Sequence, residues 1–339
     1  MAAGDETVFE SSDERWVVER ALGEGGAGRA LLVRGERSGR RCVLKELKTA
    51  DVESWKALER FQREADVLRA LDHPAIPAYV DALAWEDEGR FAIVQAYVEG
   101  PTLQERLDAG AVVDAEELQG WLLGLLDVLA YLHGLVPPVV HRDISPKNVI
   151  VNARGPHLID FGSVRVATGE SGTVTTMGTF GYMPPEQAMG RPSAASDMYA
   201  LGMTCVALAS GLDPAGLPLD PQTGRADVRA VCDLPEPLAT VLVRMTEPGL
   251  AARLSDPAAA KALLERAVPL ETAARPRRSS VWLRLVPSLL AMSILTASLL
   301  WAMSLGKDHR EVLTLGGWFT GHPSFVDTVV VSEATFSGD

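Results

Sequence analysis

Eight residues, His141-Arg142-Asp143-Ile144-Ser145-Pro146-Lys147-Asn148, and the triplet Asp160-Phe161-Gly162 a short hairpin's length later constrain this chain more than any other feature. Two acidic side chains and an amide at that spacing can bring a proton acceptor and two oxygen ligands for a hard cation to one point. Each residue alone is an ordinary turn former or cap. Together they demand a scaffold that holds two loops side by side.

The upstream sequence supplies further parts in order. Residues 16–22 alternate as a short strand and run directly into Gly23-Glu24-Gly25-Gly26-Ala27-Gly28. Glycines at the first, third and sixth positions let backbone N–H groups descend onto phosphate oxygens without side-chain clashes. A second strand-like stretch, 30–33, follows instead of a helix, which separates this turn from a dinucleotide-binding one. In residues 41–45 the alternation places Val43 and Lys45 on one face. Trp55, Leu58, Phe61, Ala65 and Leu68 then recur at helical spacing on a segment that also carries Glu64. Residues 91–98 read as a buried strand entering a connection that ends at Gly100.

With these parts in this order, the chain resembles a bacterial, eukaryotic-like serine/threonine protein kinase over residues 16–268. The resemblance implies an α+β fold of two lobes: a small β-rich lobe with one main helix (16–95), a hinge (96–100) and a larger helical lobe (101–268). It implies ATP with Mg²⁺, or Mn²⁺ in its place, and protein serine or threonine hydroxyls as acceptors. Carried over residue by residue, Gly23, Glu24, Gly25, Gly26, Ala27 and Gly28 form the loop over the phosphates. Lys45 contacts the α- and β-phosphates and pairs with Glu64, whose spacing to His73-Pro74 fits the family where that of Glu59 does not. The backbone of Ala96 and Val98 binds the adenine edge, with Gln95 at the gatekeeper position. Asp143 is the catalytic base, and Asn148 and Asp160 are the metal ligands. The family's usual lysine at position 145 is a serine here, and Lys147 offers a substitute charge, where tyrosine kinases carry an arginine.

The resemblance extends to control and scaffold. Arg142 beside the base suggests pairing with a phosphate on segment 163–182, where Thr173, Thr175 and Thr176 are the acceptors expected for autophosphorylation in trans, with a homodimer as the partner. Thr179 matches the threonine that contacts the catalytic loop, Glu186 of Pro184-Pro185-Glu186 is matched with Arg253, and Asp197 is expected to hold the catalytic loop from beneath. This segment and its anchor favour a protein substrate over a small molecule. Ser145, and Ala30 where the family has valine, leave a second reading: a nucleotide-binding pseudokinase scaffold with little transferase activity.

Bulk properties bound the rest. A net charge of −13 argues against nucleic acid as a partner, since duplex binding needs clustered cations. Three cysteines without C-x-x-C spacing suggest neither a disulfide framework nor a zinc site. Residues 1–15 are acidic and polar, without an apolar run, and read as a disordered leader. Residues 285–306 carry no charge and are long enough for one transmembrane helix. Arg275, Arg277, Arg278 and Arg284 before it place the catalytic part in the cytoplasm, on a single-pass protein of the cell membrane. A buried core helix or an amphipathic anchor is the alternative, given Pro287 and the serines of the run. On the first reading, 269–284 is a juxtamembrane linker and 307–339 a short extracytoplasmic tail.

Overall fold

The computed structural model describes residues 8–11, 13–25, 28–47, 55–85, 90–111, 113–166 and 178–266. The small lobe is a curled antiparallel sheet. Its strands are β1 (Val8–Glu10), β2 (Arg15–Gly25), β3 (Gly28–Gly35), β4 (Arg41–Leu47), β5 (Tyr79–Trp85) and β6 (Arg90–Ala96), in the order β1-β2-β3-β4-β6-β5, with one long helix, α1 (Trp55–Ala70), between β4 and β5. Alternation divides the sheet as period two requires. Leu31, Val33, Cys42, Leu44, Leu83, Ala92 and Val94 fill one face. Ile93 of β6 belongs to the other, where it joins Leu68 and Ala65 of α1 in the main core.

Strand β1 corrects one expectation. Residues 8–10 are not a disordered leader: Phe9 lies opposite Trp16, is 2% exposed, and its ring centroid is 5.5 Å from that of Trp85. Burying one phenylalanine yields about 2–3 kcal/mol, enough to hold three residues against a ready sheet edge. A lone aromatic in a polar stretch carries no periodicity by which to foresee this. Residues 1–7 lie outside the described residues.

The large lobe is helical: α2 (Leu103–Asp108), α3 (Ala115–Gly134), α4 (Pro185–Ala188), α5 (Ala194–Ser210), α6 (Val228–Val231), α7 (Glu236–Met245) and α8 (Pro257–Arg266). Thr102 opens α2 with a complete capping box to Glu105. Asp114 caps α3 by accepting from the Glu117 N–H (2.8 Å), but the Glu117 carboxylate turns instead to Arg106 (3.0 Å). Helices α3 and α5 bury Leu118, Leu122, Leu126 and Leu129 against Met198, Leu201 and Val206 at the centre of the lobe. Between α5 and α7 the proline- and glycine-rich stretch forms a 3₁₀ turn at Pro214–Gly216, an isolated bridge between Leu219 and Ala226, and the four-residue α6.

Short strands frame the catalytic sequence. They are β7 (Val139–Val140), β8 (Val149–Asn152), β9 (Gly155–Leu158) and β10 (Arg165–Val166), with β8 paired to β9 and β7 to β10. Among the described residues no helix is long and apolar enough to cross a membrane. The linker, span and tail expected at 269–339 lie outside the described residues, as do residues 167–177 with Thr168, Ser171, Thr173, Thr175 and Thr176.

Candidate active site

Lys45 stands on the cleft face of β4 and is the hub of the upper half of the site. Its ammonium is 2.9 Å from Glu64 Oε1 of α1 and 2.7 Å from Asp160 Oδ1 beyond β9. Burial pushes the Lys45 pKa down, but the Asp160 and Glu64 carboxylates more than offset it and hold the ammonium above its ordinary value. Asp160 is held well below the usual carboxylate range, chiefly by the charge of Lys45 against the opposing effect of burial. At neutral pH the pair is therefore fully charged.

The glycine turn lies at the end of the β2–β3 hairpin. Gly23 lies across from Ala30, Glu24 from Arg29 and Gly25 from Gly28, so β2 and β3 stay paired to the tip. Gly28 has φ +144°, and a Cβ there would lie 2.0 Å from the carbonyl oxygen of Glu46, so no other residue fits. Gly26 and Ala27, at the tip, lie outside the described residues.

Between the lobes, the Ala96 N–H is taken by the Ala78 carbonyl (2.8 Å), and Val98 lies in the connection that follows β6. Gln95, just before it, is buried.

The lower half is the loop from His141 to Asn148, whose last three residues form a 3₁₀ turn. Asn148 Nδ2 donates to the Asp143 carbonyl (2.7 Å) and to Asp143 Oδ2 (3.0 Å). Lys147 Nζ is 3.3 Å from the same Oδ2, and the Thr179 hydroxyl donates to Oδ1 at 2.6 Å. Asp143 is thus fixed on both oxygens. Ser145 is wholly buried, its Oγ 3.5 Å from Thr179 Oγ1, whereas the Lys147 side chain is half exposed.

The loop is held from beneath. Asp197, wholly buried in the first turn of α5, accepts from the N–H of His141 (2.9 Å) at Oδ2 and from that of Arg142 (2.8 Å) at Oδ1. His133 Nε2 at the end of α3 is 3.0 Å from Oδ2 as well. Gln187 Nε2 donates to the Arg142 carbonyl at 2.6 Å, so both peptide groups flanking Arg142 are clamped. That clamp explains how Arg142 keeps φ 72°, a left-handed conformation costly for a non-glycine residue. The His141 ring is buried beside Phe161, 4.9 Å between centroids, and burial lowers its pKa, so it is neutral.

Glu186 and Arg253 form the expected pair, with Arg253 Nη1 2.5 Å from Glu186 Oε1 and Nη2 3.1 Å from Oε2. Arg253 also donates to the carbonyls of Glu247 (2.7 Å), Ala195 (3.0 Å) and Pro248 (2.8 Å). The pair ties the end of the activation segment to the base of the lobe.

This donor set suits a hard cation and a polyphosphate. Asn148 spends both amide hydrogens on Asp143, which leaves its oxygen as the atom to face a cation, and the Asp160 side chain is 46% exposed. Among the described residues no group of three or more His, Cys, Asp or Glu could hold a metal alone, so bound phosphate oxygens would complete the shell.

Of the sequence-predicted residues, Lys45, Glu64 and Asp160 meet in one cluster, and Asp143, Lys147, Asn148 and Thr179 in another. Two positioning residues escaped the sequence reading. His133 and Gln187 reach Asp197 and Arg142 across separations of 64 and 45 residues, and no local pattern marks them.

Comparison with known proteins gives a consistent picture. A protein kinase domain model matches residues 16–277. The chain is 38% identical over 231 residues to the serine/threonine-protein kinase PknA of Nostoc sp., covering 62% of this chain and 40% of that protein. It is 37% identical over 236 residues to serine/threonine-protein kinase C of Synechocystis sp., covering 64% and 43% respectively. The chain therefore spans less than half the length of these curated relatives. Among solved structures, the PknI kinase domain of Mycobacterium tuberculosis superposes with a TM-score of 0.59 at 26% identity, covering 78% of this chain and 98% of that one.

Proposed function

The chain belongs to the protein kinase domain family, and on that premise we propose that it transfers the γ-phosphate of ATP to serine or threonine hydroxyls of protein substrates. One observation carries the reading: a single ammonium, Lys45, bridges Glu64 and Asp160 while Asp143 and Asn148 stand hydrogen-bonded in the loop below. That arrangement positions phosphates and orients a hydroxyl, which is most of what phosphoryl transfer asks of a protein.

In this proposal MgATP supplies the electrophilic phosphorus and a leaving group already neutralised by the cation. Lys45, oriented by Glu64, holds the inner phosphates. Gly23, Glu24, Gly25 and Gly28, with Gly26 and Ala27, cover them through backbone N–H groups, and the backbone of Ala96 and Val98 receives the base. Asn148 and Asp160 hold the cation. Asp143 accepts the hydroxyl proton at one carboxylate oxygen, kept in place by Thr179 and Asn148. Lys147 supplies positive charge beside it, in the role the family gives to position 145. The buried, uncharged Ser145 favours the rival reading, a nucleotide-binding scaffold with little transfer.

The reading extends to autophosphorylation in trans on Thr173, Thr175 or Thr176 within a homodimer. It also includes single-pass anchoring through 285–306, with 269–284 as linker, 307–339 outside, and the kinase lobes in the cytoplasm. The charge asymmetry and the uncharged run support that arrangement.

Incubation with labelled MgATP, beside an Asp143→Ala control, tests the function. Label is expected on the wild-type chain and on a generic protein substrate and not with the control; nucleotide bound without label in either would establish the scaffold reading. Membrane fractionation tests the anchor, and recovery of the full chain in the soluble fraction would refute it.

A further inference from the structure

Glu46 is a carboxylate where the sheet asks for an apolar residue. It follows Lys45 in β4 and projects from the opposite face, in line with Cys42 and Leu44 and directly across from Arg29 of β3 and Ala92 of β6. That face is the apolar one, filled by Leu31, Leu44 and Ala92 among others. Glu46 is only 7% exposed. A buried charge is costly unless it is well paired, and both of its oxygens are taken: Oε1 accepts from Arg90 Nε (2.9 Å) and Nη2 (2.7 Å), and Oε2 accepts from Arg29 Nε.

The two arginines differ in what fixes them. The Arg90 guanidinium also lies over two rings, 5.1 Å from the centroid of Trp85 and 5.7 Å from that of Phe9 in β1, so it holds the carboxylate still. Arg29 stands at the other end, directly after Gly28, with its side chain 44% exposed and its backbone across from Glu24 of the glycine turn. The backbone of Glu46 abuts the same point, since its carbonyl leaves no room for a Cβ at Gly28. Glu46 therefore meets the root of the turn with main chain and side chain together. A pair with one half-exposed partner adds little to stability, so its consequence is geometric: it fixes where the hairpin leaves the sheet.

We infer that Glu46 is a positioning residue for the glycine turn: held by Arg90, it fixes Arg29 and thereby the place at which the N–H groups of the turn meet the phosphates of the bound nucleotide. The inference rests on the nucleotide-cleft reading above. The sign of the effect separates positioning from charge. A carboxylate near bound phosphates repels them, so by charge alone the loss of Glu46 would tighten nucleotide binding. As a positioning residue, its loss frees the root of the turn and weakens binding.

Titration calorimetry on the full chain with MgADP and with adenosine tests this, since adenosine has the same base and ribose but no phosphate for the turn to cover. Glu46→Leu, which continues the apolar pattern of Cys42 and Leu44, and Arg29→Ala should each lose about tenfold in MgADP affinity and hold adenosine affinity within about twofold, which also reports that the variants are folded. Arg29→Lys keeps a charge for Oε2 and should recover most of the loss. MgADP binding by Glu46→Leu that is unchanged or tighter, or a loss shared equally by adenosine, would overturn the inference while leaving the nucleotide site intact. If Glu46→Leu does not fold, Arg29→Ala decides, and a ratio of MgADP to adenosine affinity unchanged from wild type would overturn the inference. Failure of the wild type to bind either ligand would overturn both the inference and the nucleotide-cleft reading.

Discussion

The Lys45 ammonium stands 2.7 Å from Asp160 Oδ1, although 115 residues separate the two in the chain. Because Lys45 also holds Glu64 at 2.9 Å, one side chain joins the sheet and helix of the small lobe to the loop after β9 in the large lobe.

Replacing it, Lys45→Met, should reduce phosphoryl transfer at least about a hundredfold. Its effect on stability depends on pH at both ends. The Asp160 pKa is depressed, so its contribution is present above an unfolded value of about 3.9 and fades as pH falls; that of Lys45 is raised, so its contribution is present below about 10.4 and fades as pH rises. Asp160 is half exposed, so the difference in Tm should be only about 2–4 °C at neutral pH, should begin to shrink below about pH 4, and should vanish only as the folded carboxylate itself protonates at still lower pH. A constant difference across that range would contradict the pair as described.

Thr179 acts through Asp143, by the 2.6 Å bond to Oδ1. Thr179→Val keeps the shape and removes the donor, and kcat should fall about ten- to a hundredfold with KM for ATP nearly unchanged. Thr179→Ser should recover most of the loss. Steady-state kinetics on the three forms would show whether the hydroxyl or the packing matters.

Asp197→Ala would remove the acceptor of the His141 and Arg142 N–H groups in a buried site and loosen the clamp on the left-handed Arg142. Urea unfolding should show a loss of about 3–5 kcal/mol at unchanged m value. Asp197→Asn keeps one acceptor oxygen and should lose less.

The Glu186–Arg253 pair is buried, with the Arg253 side chain wholly covered. Burial would raise the Glu186 pKa, yet the hydrogen bonds from Arg253 lower it below its ordinary value. Its contribution is therefore present above an unfolded value of about 4.3 and disappears on acidification. Glu186→Gln should cost about 3–5 kcal/mol at neutral pH, and the stability of the variant should fall less steeply with acid than that of wild type. Arg253→Lys should also be destabilising, because an ammonium cannot bond both carboxylate oxygens and three carbonyls in the geometry of the guanidinium.

The sequence made much of this legible because the chemistry is local. The octet from His141 to Asn148 is one tight loop, so its order alone places Asn148 against Asp143. Period two in 41–45 put Lys45 on a defined face, and helical spacing put Glu64 on α1. The leader was misread because Phe9 gains its burial from distant strands, packing beside Trp85 and within the small-lobe core. Asp114 caps α3, but its box is incomplete because Glu117 finds Arg106 in the preceding helix.

What the residue order determined, then, is which parts exist and in what succession: short-range spacing governs strand faces, helix faces and tight loops. What only the tertiary structure decided is which oxygens and nitrogens meet across the fold. Asp197 with His133, Gln187 with Arg142, and Glu46 with Arg90 depend on packed helices and strands that bring separate segments within 3 Å. Hydrogen bonds act over a single interatomic contact, so their partners are selected by the packed fold and leave no periodic trace in the chain.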